Sequence, residues 1–385
     1  MTSELSDFSA QLRAFIAFQA EEPTFGLPRD NTYAEQADAG FNRYALLLFG
    51  LQFKANAAYR KLCGARGITP DAVTHWTQIP ALPTTAFKEL EITSLPPELR
   101  TNVFHSSGTT EQKPSRHFHN AESLAIYEAS LWPWFVRHVV PNFRFPISDL
   151  RPAILSPPPS RCPHSSLVHM FEAVRRKLGA TESSFLGGLS DNGEWILNLE
   201  AVLQCLRYAC ETQNPLLLLG TAFSFVHLLD FLAQKESHFE LPPGSRVMET
   251  GGYKGRSRLL PKSQLHALIT DHLGIQASHI VCEYGMSELS SQAYGTVIPS
   301  FRFRDPGTVH SFRFPPWARA KIISPETGCE VSDGEMGLIR VFDLANVFSV
   351  MAIQTEDLAV RRGDGFNLIG RAQHSEPRGC SLMVA

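Results

Sequence analysis

Apolar residues recur at helical spacing in several stretches of the chain. The clearest stretch, residues 41–62, is followed by Cys63 and Gly64, which predicts one long helix with a glycine at its end. The same spacing predicts further helices over 121–138, 165–178, 198–212 and 223–232. Each of these helices is long enough to cover one face of a sheet.

Short apolar runs lie between the helices and end in loops rich in Gly, Ser, Thr or Pro. These runs predict a strand at residues 102–105 and further strands that begin the segments 151–160, 215–223, 245–258 and 278–289. Strands that alternate with helices favour an α/β fold with mixed, mostly parallel sheets flanked by helices. From about residue 301 the pattern changes to short β-like pieces separated by Gly and Asp turns, which predicts a smaller β-rich subdomain over 301–369.

Composition and charge exclude several classes of function. The chain has 385 residues, of which 43% are hydrophobic and 19% charged, as in ordinary globular proteins. Its formal net charge of -3 gives no electrostatic footprint for nucleic acid. Seven cysteines without a C-x-x-C pair fit neither a disulfide scaffold nor structural zinc, so we expect a reducing cytoplasm. We expect no secretory signal and no membrane span, because no stretch is apolar for long enough.

A loop of small polar residues follows the predicted strand at 102–105. Ser106, Ser107, Gly108, Thr109 and Thr110 combine hydroxyls and backbone N–H groups around one glycine, which suits close contact with phosphate oxygens. The loop is not a Walker A motif. Taken alone it fits a surface turn equally well.

Three further elements point to a nucleotide. Tyr284-Gly285-Met286-Ser287-Glu288 follows a predicted strand, and it offers an aromatic ring for a base, a hydroxyl for a phosphate and a carboxylate for Mg²⁺. Asp357 stands in a Thr-Glu-Asp segment where its carboxylate can accept the hydroxyls of a ribose. Gly370 and Arg371 follow the last predicted strand.

In this order, the four elements resemble the adenylate-forming superfamily of acyl-CoA synthetases, luciferases and nonribosomal peptide adenylation domains. The resemblance implies an ATP-binding domain with Mg²⁺ at Glu288, and a hinge at Gly370 and Arg371, with Arg371 also among the ATP-binding residues. It also implies that Lys113, which follows the Ser/Thr/Gly loop, contacts the nucleotide, and that Gly251 and Gly252 line the site. The superfamily often has an aromatic residue or a histidine that gates the acyl site in the region of His164 and His169. A helix-surface or buried structural histidine is the simpler interpretation of both.

The segments LPTTAFK, TGGYKGRSR, YGMSELSSQAY and GDGFNLIGRAQHSEPRGCSL resemble the acyl-protein synthetase (LuxE-type) branch. In that branch a carboxylic, usually fatty, acid becomes an acyl-adenylate, the acyl group passes to a cysteine near the carboxyl end, and a partner reductase takes it. The resemblance assigns that role to Cys380. An accessible thiol beside Arg378 and Gly379 also has the cation and the freedom that such chemistry needs, although an incidental thiol remains the alternative.

The sequence departs from the superfamily at two points. Glu111 stands in the phosphate loop where glycine is usual, and the chain stops soon after Arg371, where a mobile domain with an adenylation lysine would follow. We therefore expect another cation to stabilise the transferring phosphate, and nominate Lys254 with Arg256 or Arg258 assisting. A solvated basic turn is the alternative for this segment.

The sequence thus predicts an adenylating domain over 1–369 and a tail over 370–385 that carries the acceptor cysteine. The predicted activity is an ATP-dependent acyl-protein synthetase. Two alternatives stay open at this point: an AMP-forming ligase that transfers the acyl group to CoA or a carrier-protein thiol, and an inactive ligase-like subunit of a reductase complex.

Overall fold

The computed structural model describes residues 2–21, 31–106, 113–141, 147–251, 260–298 and 309–372. The α-helices in these ranges are α1 (Thr2–Glu21), α2 (Asn31–Ala55), α3 (Ala57–Ala65), α4 (Ala86–Glu89), α5 (Ala121–Val139), α6 (Ser166–Lys177), α7 (Leu199–Thr212), α8 (Ala222–Gln234) and α9 (Lys262–Leu273). The strands are β1 (Leu82–Pro83), β2 (Asn102–His105), β3 (Arg116–His119), β4 (Arg151–Leu155), β5 (Gly187–Leu189), β6 (Trp195–Leu197), β7 (Leu216–Thr221), β8 (Arg246–Thr250), β9 (Ile280–Tyr284), β10 (Ala293–Ile298), β11 (Val309–Arg313), β12 (Ala318–Ile323), β13 (Met336–Asp343), β14 (Ala352–Arg362) and β15 (Gly365–Arg371).

A mixed sheet of 11 strands organises these elements. Its order is β12-β13-β14-β15-β11-β10-β9-β8-β7-β4, with β1 beside β14. Strands β4, β7, β8 and β9 are parallel, and every pairing from β9 to β12 along this order is antiparallel. The predicted α/β class is confirmed, and the antiparallel strands continue the parallel ones within one sheet. The division into an adenylating domain and a tail stays a prediction.

Helices cover both faces of the parallel strands, as the apolar sequence of β7 requires. Leu217 and Leu219 pack in the core cluster that contains α5 and α6. Leu216 and Leu218 pack in the second cluster, with α7, α8 and α9. Because successive side chains of a strand point to opposite faces, a strand covered on both sides must be apolar at every position. This explains the uninterrupted leucine run.

The amino-terminal helix α1 packs against α5, although the sequence analysis did not predict it. Its buried residues Leu5, Phe8, Leu12 and Ile16 follow helical spacing, so the signal was present in the sequence. No helix within the described ranges has the length and apolar character that crossing a membrane requires.

The single helix predicted over 41–62 is wrong at both ends and in its continuity. The first helix starts at Asn31, and the chain leaves the helical conformation at Asn56, where φ is -101° and ψ is 102°. The Asn56 side chain accepts a hydrogen bond from the Tyr59 backbone N–H at 3.1 Å and caps α3. Apolar spacing continues across this cap, so periodicity alone does not reveal it.

We expect Asn56→Ala to lower the free energy of unfolding by about 1–2 kcal/mol, because alanine removes the oxygen that caps α3. Urea-induced unfolding followed by circular dichroism measures the loss. Asn56→Ser keeps a capping oxygen and should recover most of the stability. Equal unfolding midpoints for wild type and Asn56→Ala would contradict the capping role.

Candidate active site

Three residues predicted to contact a nucleotide meet at the carboxyl end of β9. Tyr284 ends this strand, and its hydroxyl donates a hydrogen bond to Asp357 Oδ2 at 2.8 Å. Asp357 is paired in register with Arg371 on β15, and Arg371 Nε lies 4.0 Å from Asp357 Oδ1. The sheet order, with β15 and β11 between β14 and β10, brings these distant parts of the chain together.

The Tyr284 side chain is buried among phenylalanines. Its ring packs edge-on against Phe366 with a centroid separation of 5.5 Å, and also against Phe312 and Phe314. Burial, followed by the negative charge of Asp357, raises the pKa of Tyr284 well above its usual value, so the hydroxyl stays a donor. Burial also raises the pKa of Asp357, and the hydrogen bond from Tyr284 opposes that shift. The stacking role of Tyr284 and the ribose-binding role of Asp357 stay predictions.

The two ends of the predicted phosphate loop are held together. Ser115 N–H donates to Ser106 Oγ at 2.9 Å, and Ser106 N–H donates to Ser115 O at 3.3 Å. Both residues extend the β2–β3 hairpin by one pair. The loop residues Ser107, Gly108, Thr109 and Thr110, together with Glu111, lie outside the described residues.

The loop ends lie beside the Ser287–Glu288 segment. Ser115 Oγ is 3.3 Å from Ser287 Oγ, and the Ser287 hydroxyl donates to Glu288 Oε2 at 2.9 Å. His117 Nδ1–H donates to the Ser287 carbonyl at 2.9 Å, and burial lowers the pKa of His117 to about 4, so this imidazole is neutral. Two of the predicted motifs therefore contact each other directly.

Glu288 fits the predicted magnesium role as one ligand among several. Its side chain is buried next to a hydroxyl, and a single carboxylate completed by water and substrate phosphates is a usual Mg²⁺ environment. The groups of three potential ligands found within the described residues do not include Glu288. A magnesium ion held by Glu288 would therefore need the nucleotide for its remaining ligands, and the role stays a prediction.

Asp343 holds the segment that follows Glu288, and the sequence analysis missed it. Its buried carboxylate accepts hydrogen bonds from the backbone N–H groups of Ser290 and Ser291 at 2.9 and 2.8 Å, and from the Ser291 hydroxyl at 2.7 Å. Asn346 Nδ2 donates to the Glu288 carbonyl at 2.9 Å. A lone aspartate at the end of the apolar strand β13 was the available signal, because a buried carboxylate needs several donors.

Glu283 is a second missed residue, located one position before Tyr284. It is buried, and its carboxylate accepts a hydrogen bond from the Thr250 hydroxyl at the end of β8. Burial raises the pKa of Glu283 to about 7. A Cβ atom at Gly285 would collide with Glu283 Oε1, so a larger residue there would force the Glu283 carboxylate to move. The predicted residue Gly285 thus has a steric reason within this cluster.

A buried ionic network joins β8 to the start of α9. Lys262, the first residue of α9, contacts both oxygens of Glu249, and Cys282 Sγ donates to Glu249 Oε1 at 2.9 Å. Burial alone would raise the pKa of Glu249, but the charge of Lys262 and hydrogen bonds from His266, Cys282 and Lys262 outweigh it and lower the pKa to about 2. This pair fixes the two elements that flank residues 252–259.

Gly251 directly follows β8 and has a φ of +71°, a backbone conformation that favours glycine. Gly252, Lys254, Arg256, Arg258 and the acceptor Cys380 lie outside the described residues, so their predicted roles stay predictions.

The remaining candidates have surface or packing partners. Lys113 Nζ pairs with Glu89 Oε2 at 3.5 Å, and both side chains are exposed. His164 Nδ1–H donates to the Val103 carbonyl at 3.1 Å. His169 lies 3.3 Å from Glu128 on the neighbouring helix. The nucleotide contact predicted for Lys113 stays a prediction, and both histidines have the structural partners that the simpler interpretation requires.

Most described cysteines are poor nucleophiles. Burial raises the pKa of the thiols of Cys63, Cys162, Cys205, Cys210 and Cys282. A raised pKa disfavours the thiolate, which is the reactive form. Cys329 is the exposed thiol of the described part of the chain.

The sequence matches one protein family, and the fold matches solved structures of a ligase. A family model described as “Acyl-protein synthetase, LuxE” matches residues 28–385. The long-chain-fatty-acid–luciferin-component ligase of Aliivibrio fischeri is 22% identical over 374 residues, which cover 93% of this chain and 91% of that protein.

Solved structures of 2-hydroxyisobutyryl-CoA ligase share the fold. The complex with 2-HIB-AMP and CoA in the thioesterification state superposes with a TM-score of 0.61 at 14% identity, covering 90% of this chain and 69% of that one. The postadenylation complex with 2-HIB-AMP gives a TM-score of 0.60 at 14% identity, covering 92% and 74%.

We expect Glu283→Gln to change the pH dependence of stability. In the wild type the pKa of Glu283 is about 7 in the folded protein and near 4.5 when unfolded, so folding holds a proton that must be released as the pH rises. Stability contributed by this group is therefore lost between about pH 4.5 and 7. Relative to wild type, Glu283→Gln should gain about 2–3 kcal/mol in free energy of unfolding between pH 5 and pH 8.

Urea unfolding at a series of pH values measures this gain, and the exposed Glu326→Gln variant is the matched control. Parallel pH profiles for wild type and Glu283→Gln would contradict the proposed titration.

Proposed function

Because the chain belongs to the acyl-protein synthetase (LuxE) family, a family of ligases, we propose that it activates a carboxylic acid with ATP and then carries the acyl group on Cys380. The acid is a fatty acid, as the name of the Aliivibrio fischeri relative suggests, and an acyl reductase receives the product. The family itself is the one that the sequence motifs indicated.

One structural observation carries the nucleotide part of this proposal. The Tyr284–Asp357 hydrogen bond, the Ser287–Glu288 segment and the ends of the phosphate loop all lie at the carboxyl ends of β9 and its neighbours. Open α/β sheets bind ligands at the carboxyl ends of their strands. The arrangement supports a nucleotide with its ribose at Asp357 and its phosphates at the Ser/Thr/Gly loop.

In the first step, a carboxylate oxygen of the acid attacks the α-phosphorus of ATP. A new P–O bond forms, the bond to the bridging oxygen breaks, and pyrophosphate leaves with the electron pair. Such phosphoryl chemistry depends on positioning and charge stabilisation rather than on covalent help from the protein. Ser287 and the loop hydroxyls hold the phosphates, and Lys254 supplies positive charge. Glu288 would hold Mg²⁺, which would neutralise phosphate charge when bound.

In the second step, the Cys380 thiolate attacks the acyl carbonyl carbon of the mixed anhydride. A C–S bond forms, the C–O bond to the phosphate breaks, and AMP leaves with the electron pair, while the thiol proton passes to solvent. The described cysteines support this choice by exclusion, because five of them have thiols whose pKa is raised by burial. Cys329 is the described competitor.

We expect Cys380→Ser to abolish covalent acylation of the chain while ATP–pyrophosphate exchange continues, because adenylation precedes the thiol. Intact-protein mass spectrometry after incubation with ATP, Mg²⁺ and a mixture of fatty and aromatic acids detects the acyl adduct. Cys329→Ser is the matched control and should keep the adduct, since it removes the exposed competitor.

An adduct that persists in Cys380→Ser would exclude this cysteine as the acceptor. Acyl transfer to added CoA, with no adduct on the protein, would favour a CoA ligase. Binding of ATP without exchange for any acid would favour an inactive subunit.

We expect Lys254→Ala to reduce acid-dependent ATP–pyrophosphate exchange by about 10²–10³-fold, the usual loss when one transition-state donor is removed. Lys177→Ala replaces an exposed lysine on α6 and should leave exchange unchanged. Exchange that is equal in Lys254→Ala and wild type would assign the cationic role to another residue.

A further inference from the structure

Two histidines and one aspartate converge at the carboxyl end of α9, away from the nucleotide edge of the sheet. His238 lies in the connection after α8, and Asp271 and His272 lie in the last turn of α9. One ligand atom from each side chain lies within 4.8 Å of the other two. His238 Nε2 is 3.6 Å and His272 Nε2 is 4.0 Å from Asp271 Oδ2. We propose that these three side chains bind one divalent transition-metal ion of the zinc type.

The donor set suits such an ion. Two imidazoles and one carboxylate are ligands that Zn²⁺, Co²⁺ and Ni²⁺ share. At bond lengths of about 2.0–2.2 Å, neighbouring ligand atoms of a tetrahedral ion lie about 3.3 Å apart. His238 and Asp271 are 57% and 66% exposed, so their side chains can move to shorten the present separations of up to 4.8 Å.

The tautomer of His272 is already the one that ligation requires. Its side chain is nearly buried, and its Nδ1 lies 3.3 Å from the Ser237 carbonyl, which can only accept a hydrogen bond. Nδ1 therefore carries the proton, and the lone pair of Nε2 faces Asp271. A histidine that ligates a metal almost always donates its other N–H in this way.

The backbone holds the two contributing segments in a fixed relation. Phe239 N–H donates to the His272 carbonyl at 2.8 Å, and Leu241 N–H donates to the Leu273 carbonyl at 3.2 Å. Phe239, the residue after His238, is thus hydrogen-bonded to the backbone of His272, the second proposed histidine ligand. Binding a metal here orders only two exposed side chains, which keeps its entropic cost small.

Local charge also favours a cation. Asp271 stands in the last turn of α9, where the partial negative charge of the helix terminus makes a carboxylate unfavourable. A bound cation reverses this interaction. The rings of His238 and His272 stack with their centroids 4.6 Å apart, which keeps both imidazoles beside Asp271.

The second three-ligand group of the described residues, Glu249, His266 and Cys282, already has a cation beside its carboxylate. There the Lys262 ammonium contacts both carboxylate oxygens and already supplies the positive charge. At His238, Asp271 and His272, the described contacts include no lysine or arginine ion pair.

The experiment uses the tag-free full-length chain, titrated at pH 7.5 with Zn²⁺ in a calorimeter and with Co²⁺ in a visible spectrophotometer. We expect one equivalent to bind, and thermal unfolding to shift upward with metal concentration, because the ion binds only the folded site. His238→Ala and Asp271→Asn change exposed side chains and should each weaken binding by at least about tenfold, since even outer-shell partners of a ligand contribute that much.

His75→Ala is the matched control, because His75 pairs with Asp38 at 3.4 Å and belongs to no three-ligand group of the described residues. It should leave the affinity unchanged. Absence of stoichiometric binding to the wild type would overturn the proposal, and so would equal affinities for wild type, His238→Ala and Asp271→Asn. ATP–pyrophosphate exchange in the presence of a chelator specific for transition metals is a separate readout, so failure here does not bear on the ligase activity.

Discussion

The turn after β9 is the constraint on which the rest of the site depends, because it places five polar side chains within six positions in the protein interior. Its buried members are Ser287, Glu288, Ser290, Ser291 and Gln292. A buried polar group without a partner costs about 1–3 kcal/mol, so partners must arrive from elsewhere in the chain. They come from Ser115 just before β3, from Asp343 at the end of β13, and from α5, where Ser130 Oγ lies 2.8 Å from Ser291 Oγ. The same contacts that satisfy the turn bring the phosphate-loop hairpin against it.

The alternation of helices and strands was predictable, because β7 is apolar throughout and Tyr284 stands at the end of a recognisable apolar strand. The contacts between side chains that are distant in the sequence were not predictable. Asn56 interrupts a helix whose apolar spacing continues, because a local capping bond competes with the periodicity. Glu283 looks like an ordinary charged residue until burial against Thr250 is known. The role of Asp343 becomes evident only from the sheet order, which places β13 in the same sheet as the strand that ends in Tyr284.

Helix α9 runs from the ion pair of Lys262 and Glu249 to the cluster of His238, Asp271 and His272. At its first residue, the ammonium of Lys262 is bound to Glu249 beneath the nucleotide edge. At its last turn, the carbonyl of His272 is bonded to the connection that follows α8. Both ends are therefore fixed by polar contacts, while buried side chains such as Leu265 and Ile269 pack on the sheet. Because the helix is held at both ends as well as along its face, it moves with the sheet as one rigid element.

The paired bonds between Ser106 and Ser115 have a consequence for how this site can change in evolution. They fix both ends of the phosphate loop independently of the residues between them. The entropy of closing a loop depends only weakly on its length, so substitutions and single insertions there cost little stability. Glu111, at a position where the superfamily usually has glycine, is a change of this kind. The predicted phosphate loop can therefore change in sequence while the hairpin that carries it keeps its stability.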